Sequence, residues 1–306
     1  MKNIYVLFLF FFLITFQTKA CDICGCGVGS YYFGVMPQYH KHFVGLRYRS
    51  MSFESHLNSR LLRTKEYFHT TELWGRFYPT KRLQVMAFVP YSFNTQVLEA
   101  SSEEKKIQGL NDVMLMANYN ILNLRTKQDT VMRAFQHSIW LGGGVKLPTG
   151  AYSYNEQDFA DVANPNFQLG TGSVDFLLST FYNLRYKKWG FNQDISYKIN
   201  TSNSNNYRFG NKISTNTSLF YIIQKDKIGL MPHLGVYYEN SAINYSKGEA
   251  IKDTGGDLLA VNIGLDIYLN KKVNLAFTYQ SPVTQNLARG EIKASDRLVM
   301  QISYLF

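Results

Sequence analysis

Residues 259–269 read Leu259-Ala260-Val261-Asn262-Ile263-Gly264-Leu265-Asp266-Ile267-Tyr268-Leu269. Every odd position is aliphatic. The even positions are small, polar or aromatic. Successive side chains of a strand point to opposite faces, so this stretch has one greasy face and one mixed face. Helical spacing fits it poorly. Leu83–Phe93 repeats the pattern, with Leu83, Val85, Ala87, Val89, Tyr91 and Phe93 on one face. The whole chain averages these two faces. Its 306 residues are 45% hydrophobic and 15% aromatic but only 18% charged, and its mean hydropathy is −0.20. That aromatic content excludes a disordered chain. The hydropathy excludes a bundle of membrane-spanning helices.

Twelve segments alternate in this way: 41–53, 66–78, 82–96, 109–122, 132–147, 170–186, 189–200, 211–224, 228–240, 257–269, 272–283 and 293–306. Most exceed the roughly 9–11 residues that a tilted strand needs to cross a bilayer. Soluble strands are typically about 5–6 residues long. Short polar connections (Pro79–Arg82, Tyr186–Lys188, Gln224–Lys227, Asn270–Lys271) and the somewhat longer Asn123–Val131 alternate with long ones. The long ones are Glu54–Lys65, Val97–Gln108, Pro148–Leu169, Thr201–Gly210, Ser241–Gly256 and Thr284–Ala294. Short inner turns and long outer loops are the pattern of an outer-membrane barrel. The sequence therefore predicts an all-β fold: a closed, antiparallel, up-and-down transmembrane β-barrel of about 12 strands over residues 41–306. Both chain ends fall on the periplasmic side.

The N-terminus fits that location. Lys2, an apolar run from Ile4 to Phe16 and a small residue at Ala20 form an export signal over residues 1–20. The run is too short to span a bilayer as a helix. Cleavage after Ala20 by ordinary signal peptidase is the first reading. Lipid attachment at Cys21 is the alternative, weakened by Lys19 beside the cleavage site. The expected destination is the outer membrane of a Gram-negative bacterium. The last segment carries Leu298, Met300, Ile302, Tyr304 and Phe306 on one face. A terminal aromatic on a greasy last strand resembles the signal read by the outer-membrane assembly machinery, which makes that machinery an expected partner. The charge of +10 suits contact with lipopolysaccharide phosphates or anionic solutes. A basic stripe and a recognition helix are both missing from the sequence, so nucleic acid is not an expected partner.

Three stretches resemble a known family. Gly109-Leu110-Asn111-Asp112-Val113 begins a segment, Gly142-Gly143-Gly144-Val145-Lys146-Leu147-Pro148-Thr149-Gly150 ends one, and Leu169-Gly170-Thr171-Gly172-Ser173-Val174-Asp175 opens the next. They are similar to the outer-membrane β-barrel transporters named for the meta-pathway of phenol degradation. Asn111 stands where that family typically has a second glycine. The resemblance covers roughly residues 40–306, and it implies a barrel rather than a particular cargo. The start, Cys21-Asp22-Ile23-Cys24-Gly25-Cys26-Gly27, resembles a Bacteroidota-type subgroup. Read without the family, Gly142, Gly143 and Gly144 remove side chains where a wall bends or packs closely. Pro148-Thr149-Gly150 ends pairing, and Gly170 and Gly172 open the next strand.

If the aliphatic parity faces lipid, the other parity lines a lumen. A charge on the lipid face at mid-depth costs about 2–4 kcal/mol for Arg or Lys, so charges belong inside. The inward set then contains Arg47, Arg49, Glu72, Arg76, Asp112, Lys146, Asp175, Arg185, Asp194, Lys198, Lys212, Asp266 and Arg297, with aromatic Trp74, Phe88, Trp140, Phe181 and Tyr268. Two readings stay open: a path for a small apolar or aromatic solute, or a bore filled by an internal salt-bridge network and plugged by the aromatics, the protein then serving in binding or copper handling through its N-terminal cysteines. In residues 21–40, Cys21, Cys24 and Cys26 have the softness for a Cu(I) ion, with Met36, His40 and His42 nearby. A disulfide with one free thiol or a lipid anchor explains them equally. An enzyme is not expected. His137-Ser138 is an adjacent pair with nucleophile–base chemistry, but strand neighbours point to opposite faces.

Overall fold

The computed structural model describes residues 41–123, 135–153 and 165–306. Residues 1–40, which include the export signal and the three cysteines, lie outside the described residues, as do 124–134 and 154–164.

The alternating segments form twelve long antiparallel strands that close on themselves. They are β1 (Phe43–Ser55), β2 (Thr64–Phe77), β3 (Leu83–Leu98), β4 (Glu103–Leu110 and Met114–Asn123), β5 (Phe135–Lys146) and β6 (Asp175–Tyr186). The ring continues through β7 (Trp189–Ile199), β8 (Lys212–Tyr221 and Ile223–Lys225), β9 (Ile228–Ser241), β10 (Gly256–Leu269), β11 (Val273–Leu287) and β12 (Ile292–Ala294 and Arg297–Leu305). Each strand pairs with its sequence neighbours. The seam is made by β1 against β12, in register from Phe43↔Leu305 to Ser50↔Leu298. At the seam's short-turn end Phe306 stacks on His42, ring centroids 5.7 Å apart.

Parity sorts as the sequence predicts. Along β1, Val44, Leu46 and Tyr48 are exposed while Phe43, Gly45 and Arg47 are buried. Leu234 and Ile263, each 60% exposed, belong to the outer aliphatic band. Such a surface is stable only against lipid. Asn270 and Lys271 both have positive φ, 50° and 56°, the type I′ geometry that closes a tight hairpin.

The structure corrects several expected boundaries. Val97–Gln108 is not a loop: β3 and β4 run on as a paired hairpin, turning at 99–102. The run from Ser101 to Lys106 is polar on both faces, so it carries no alternation to read. Its strands still pair because backbone hydrogen bonds need no greasy face. Thr284–Ala294 is likewise mostly strand, with a tight turn at Ala288–Gly290. The predicted segment 109–122 is broken at Asn111–Val113. There β3 offers two residues, Val89 and Pro90, against three, because Tyr91 pairs with Leu110 and Phe88 with Met114. Pro90 has no N–H to continue the ladder, so a bulge forms at that point. Finally, β6 begins at Asp175. Gly170 and Gly172 therefore do not open it but belong to the coil before it. The outer loops over 200–211 and 242–255 are knitted by a small sheet, Tyr207–Arg208 with Tyr245–Ser246 and Glu249–Ala250.

Candidate transport lumen

The inward-facing candidates are buried inside the barrel wall. Arg47, Glu72, Trp74, Arg76, Phe88, Trp140, Lys146, Asp175, Phe181, Asp194, Lys198, Lys212, Asp266, Tyr268 and Arg297 are all buried. Asp112, at the bulge in β4, has a side chain only 7% exposed. Arg49 is half-buried. Arg185 turns instead to its own hairpin, its Nε donating to the Lys187 carbonyl at 2.8 Å. Ser138 is buried while His137 bonds Tyr182, so the two do face opposite ways. Among the described residues no group of three or more His, Cys, Asp or Glu is placed to hold a metal ion.

An apolar band crosses six adjacent strands. Phe43 packs on Trp74 edge-on at 4.5 Å, and Trp74 stacks on Phe88 at 6.0 Å. Met114 and Met116 of β4 continue the band to Trp140 of β5 and Phe181 of β6, which are register partners. Gly142 and Gly144 make room for it. A Cβ at Gly144 would meet the Met116 side chain, and one at Gly142 would meet Asn118 and the Ala117 carbonyl. The side chains of β4 thus lie along the wall of β5 instead of across the bore.

Most of the paired charges inside fall into three groups. In the first, Glu72 accepts from Arg47 and, at 3.2 Å, from Arg49, and the Arg47 guanidinium lies 4.7 Å over the Trp74 ring. In the second, Glu239 pairs with Lys212 at 3.0 Å and Arg297 at 3.3 Å and accepts from the Tyr237 hydroxyl at 2.5 Å. In the third, Lys146 sits between Asp112 at 2.5 Å and Asp175 at 3.1 Å, and Lys198 reaches Asp175 at 3.3 Å. Asp112 also accepts from the backbone N–H groups of Gly150 and Thr171, both at 3.0 Å. Lys146 donates to Thr171 Oγ1 and the Ser173 carbonyl.

This third group gathers the three familiar stretches into one device: a buried lock holding both ends of the 147–174 connection against the bulge in β4. Asp194 and Asp266 have lighter support. Asn192 donates to Asp194 at 3.1 Å, and Asn274 donates to Asp266 at 3.5 Å. Sequence reading missed Glu239, although its parity with His233 and Gly235 against Leu234 and Val236 marks it as inward. It also missed Glu66, buried at the long-loop end and bonded to Ser55 and Gln96.

A closed ring of twelve long strands, greasy outside and polar and aromatic inside, defines the class: an outer-membrane β-barrel. The family described as "Putative MetA-pathway of phenol degradation" matches residues 57–287, and the chain belongs to it. The fold is similar to the COG4313 outer membrane channel from Pseudomonas putida F1. That match has TM-score 0.64 and 15% identity, covering 87% of this chain and 95% of that one. It is also similar to the β domain of the Bordetella autotransporter BrkA, with TM-score 0.54, 11% identity and 87% and 100% covered. Comparison with curated proteins gave no sequence match. The likeness is thus to channel and autotransporter barrels, not to an enzyme.

Proposed function

We propose that this channel-type barrel passes a small, apolar or aromatic solute across the outer membrane by diffusion. The observation that carries the reading is the continuous band Phe43–Trp74–Phe88–Met114/Met116–Trp140–Phe181 on the inner wall. The members of the band are 0–5% exposed, so a passing solute parts these side chains as it moves along them. Aromatic and thioether side chains give an uncharged ring many weak contacts and no deep well, which suits passage better than retention. The same reading takes residues 1–20 as a cleaved export signal and lipopolysaccharide as the outer-leaflet neighbour.

The test is flux of benzyl alcohol into liposomes carrying the purified, refolded protein, beside empty liposomes. Flux above the empty control, reduced in a Trp74→Ala/Phe88→Ala variant that still migrates as a folded barrel, supports the reading. No flux above the empty control for benzyl alcohol or for any other small aromatic overturns it.

A further inference from the structure

The band does not account for the part of the bore next to it, between β1 and β9–β12. A recess there has Arg47, Arg49 and Arg297 at its edge and an otherwise mainly apolar lining that includes Met51, Leu298 and Val299. The Glu72 and Glu239 groups flank it. Among the described residues of those two groups, Arg47, Arg49, Arg297 and Lys212 face only two carboxylates, Glu72 and Glu239. The imbalance is also visible atom by atom. Arg297 is 4% exposed, and only its Nη2 reaches Glu239. Its Nε and Nη1 have no hydrogen-bond partner, and neither has the buried Nε of Arg49. Buried guanidinium donors left open are costly. Their planar fork geometry matches a carboxylate with two parallel hydrogen bonds.

We infer that the recess is a binding subsite for the carboxylate of the passing solute, so that the cargo class is a small organic acid with an apolar or aromatic body. The carboxylate accepts from the open donors of Arg297 and Arg49, and the body of the solute faces the bore. Glu72 and Glu239 hold the arginines in place and leave a net positive belt. Metal cations and ammonium-bearing solutes are repelled by the same belt. Tyr237 donates its hydroxyl to Glu239 and lies against the Arg297 guanidinium, 5.8 Å from its ring centroid, and so helps hold that arginine.

This inference rests on the channel reading, and the experiment separates the two. Protein-dependent flux of benzoate, benzyl alcohol and benzylamine, each taken as the excess over empty liposomes, is compared. Binding of benzoate to the protein in detergent is measured alongside. The expected order is benzoate fastest and benzylamine slowest. Losing one charge-assisted hydrogen bond weakens benzoate binding about tenfold in Arg297→Gln, with a similar loss in Arg49→Gln. Arg49→Gln is the control against misfolding, because Arg47 still occupies Glu72. Each variant is first checked for the folded-barrel mobility shift. Benzyl alcohol flux equal to or above that of benzoate, or unchanged benzoate binding in both folded variants, overturns the carboxylate subsite while leaving the channel reading intact. Absence of flux for all three probes fails the channel reading itself. In that case benzoate binding lost in both variants still supports the subsite, and binding unchanged in both overturns it.

Discussion

Replacing Asp112 by Ala should be the most damaging single change in the barrel wall. The carboxylate receives Lys146 Nζ, the Gly150 and Thr171 amides and the Thr171 hydroxyl. Removing one member of a buried pair costs about 3–5 kcal/mol, because the remaining charge keeps its desolvation penalty. Lys146 retains Asp175 at 3.1 Å, which places Asp112→Ala toward the lower end, about 3 kcal/mol. Two amides also lose their acceptor, at about 1–3 kcal/mol each if no water replaces it. These terms overlap and do not add. Asp112→Asn keeps one acceptor oxygen and should cost about half as much. For a chain of this size each kcal/mol moves the midpoint by about 2–4 °C, so Asp112→Ala should unfold about 6–12 °C lower. The assay is thermal unfolding in detergent, read as loss of the heat-modifiable gel shift. A double-mutant cycle with Lys146→Met should give a coupling above about 1 kcal/mol. A midpoint within 1 °C of wild type, or strict additivity in the cycle, would refute the claim that this lock ties the outer connection to the wall.

Three further outcomes follow from the geometry. Gly142→Ala should cost about 1–3 kcal/mol, because the new Cβ meets a backbone carbonyl, Ala117 O, at 2.5 Å; the same unfolding assay checks it. Deleting Phe306 removes its contacts with His42 and Phe77 at the seam, so the folded fraction recovered from outer membranes should fall several-fold, measured by the gel shift of freshly expressed protein. Glu99, in the outer β3–β4 turn, is held below the ordinary carboxylate range by its hydrogen bond from Lys65, with Arg63 and Lys65 charges adding to it. A lowered folded pKa contributes stability that is present above the unfolded value and lost as pH falls through the folded one. The protection of amides in this turn, relative to their intrinsic exchange rate at each pH, should therefore fall below about pH 4 in wild type and lose that pH step in Glu99→Gln.

The wall was legible in the sequence because a period of two survives wherever one face meets lipid. Leu259–Leu269 could be assigned inside and outside residue by residue, and the burial follows that parity. Legibility failed where the lipid ended. The Glu103–Leu110 arm and the Thr284–Leu287 extension are strands by pairing alone, with nothing greasy to mark them. The lumen was half legible. Parity located Lys146, Asp112 and Asp175, but no local pattern tells that 34 and 29 positions of separation, as between Lys146 and those two, close to within 3.1 Å. The same holds for Arg297 and Glu239, which lie on strands three apart in the ring. Pro90 lies inside the segment 82–96, which reads as an unbroken strand; its missing N–H explains the break opposite it.

The seam between β1 and β12 has a kinetic meaning. Phe43 pairs with Leu305, so the ring closes only between residues near opposite ends of the chain. Closing so long a loop carries an entropy penalty that local pairing must first offset. A nascent chain lacking its last strand has two open edges, each a template for pairing with another molecule. The barrel therefore cannot be completed progressively as it is synthesised. It is finished in one late step, with Phe306 at the point of closure.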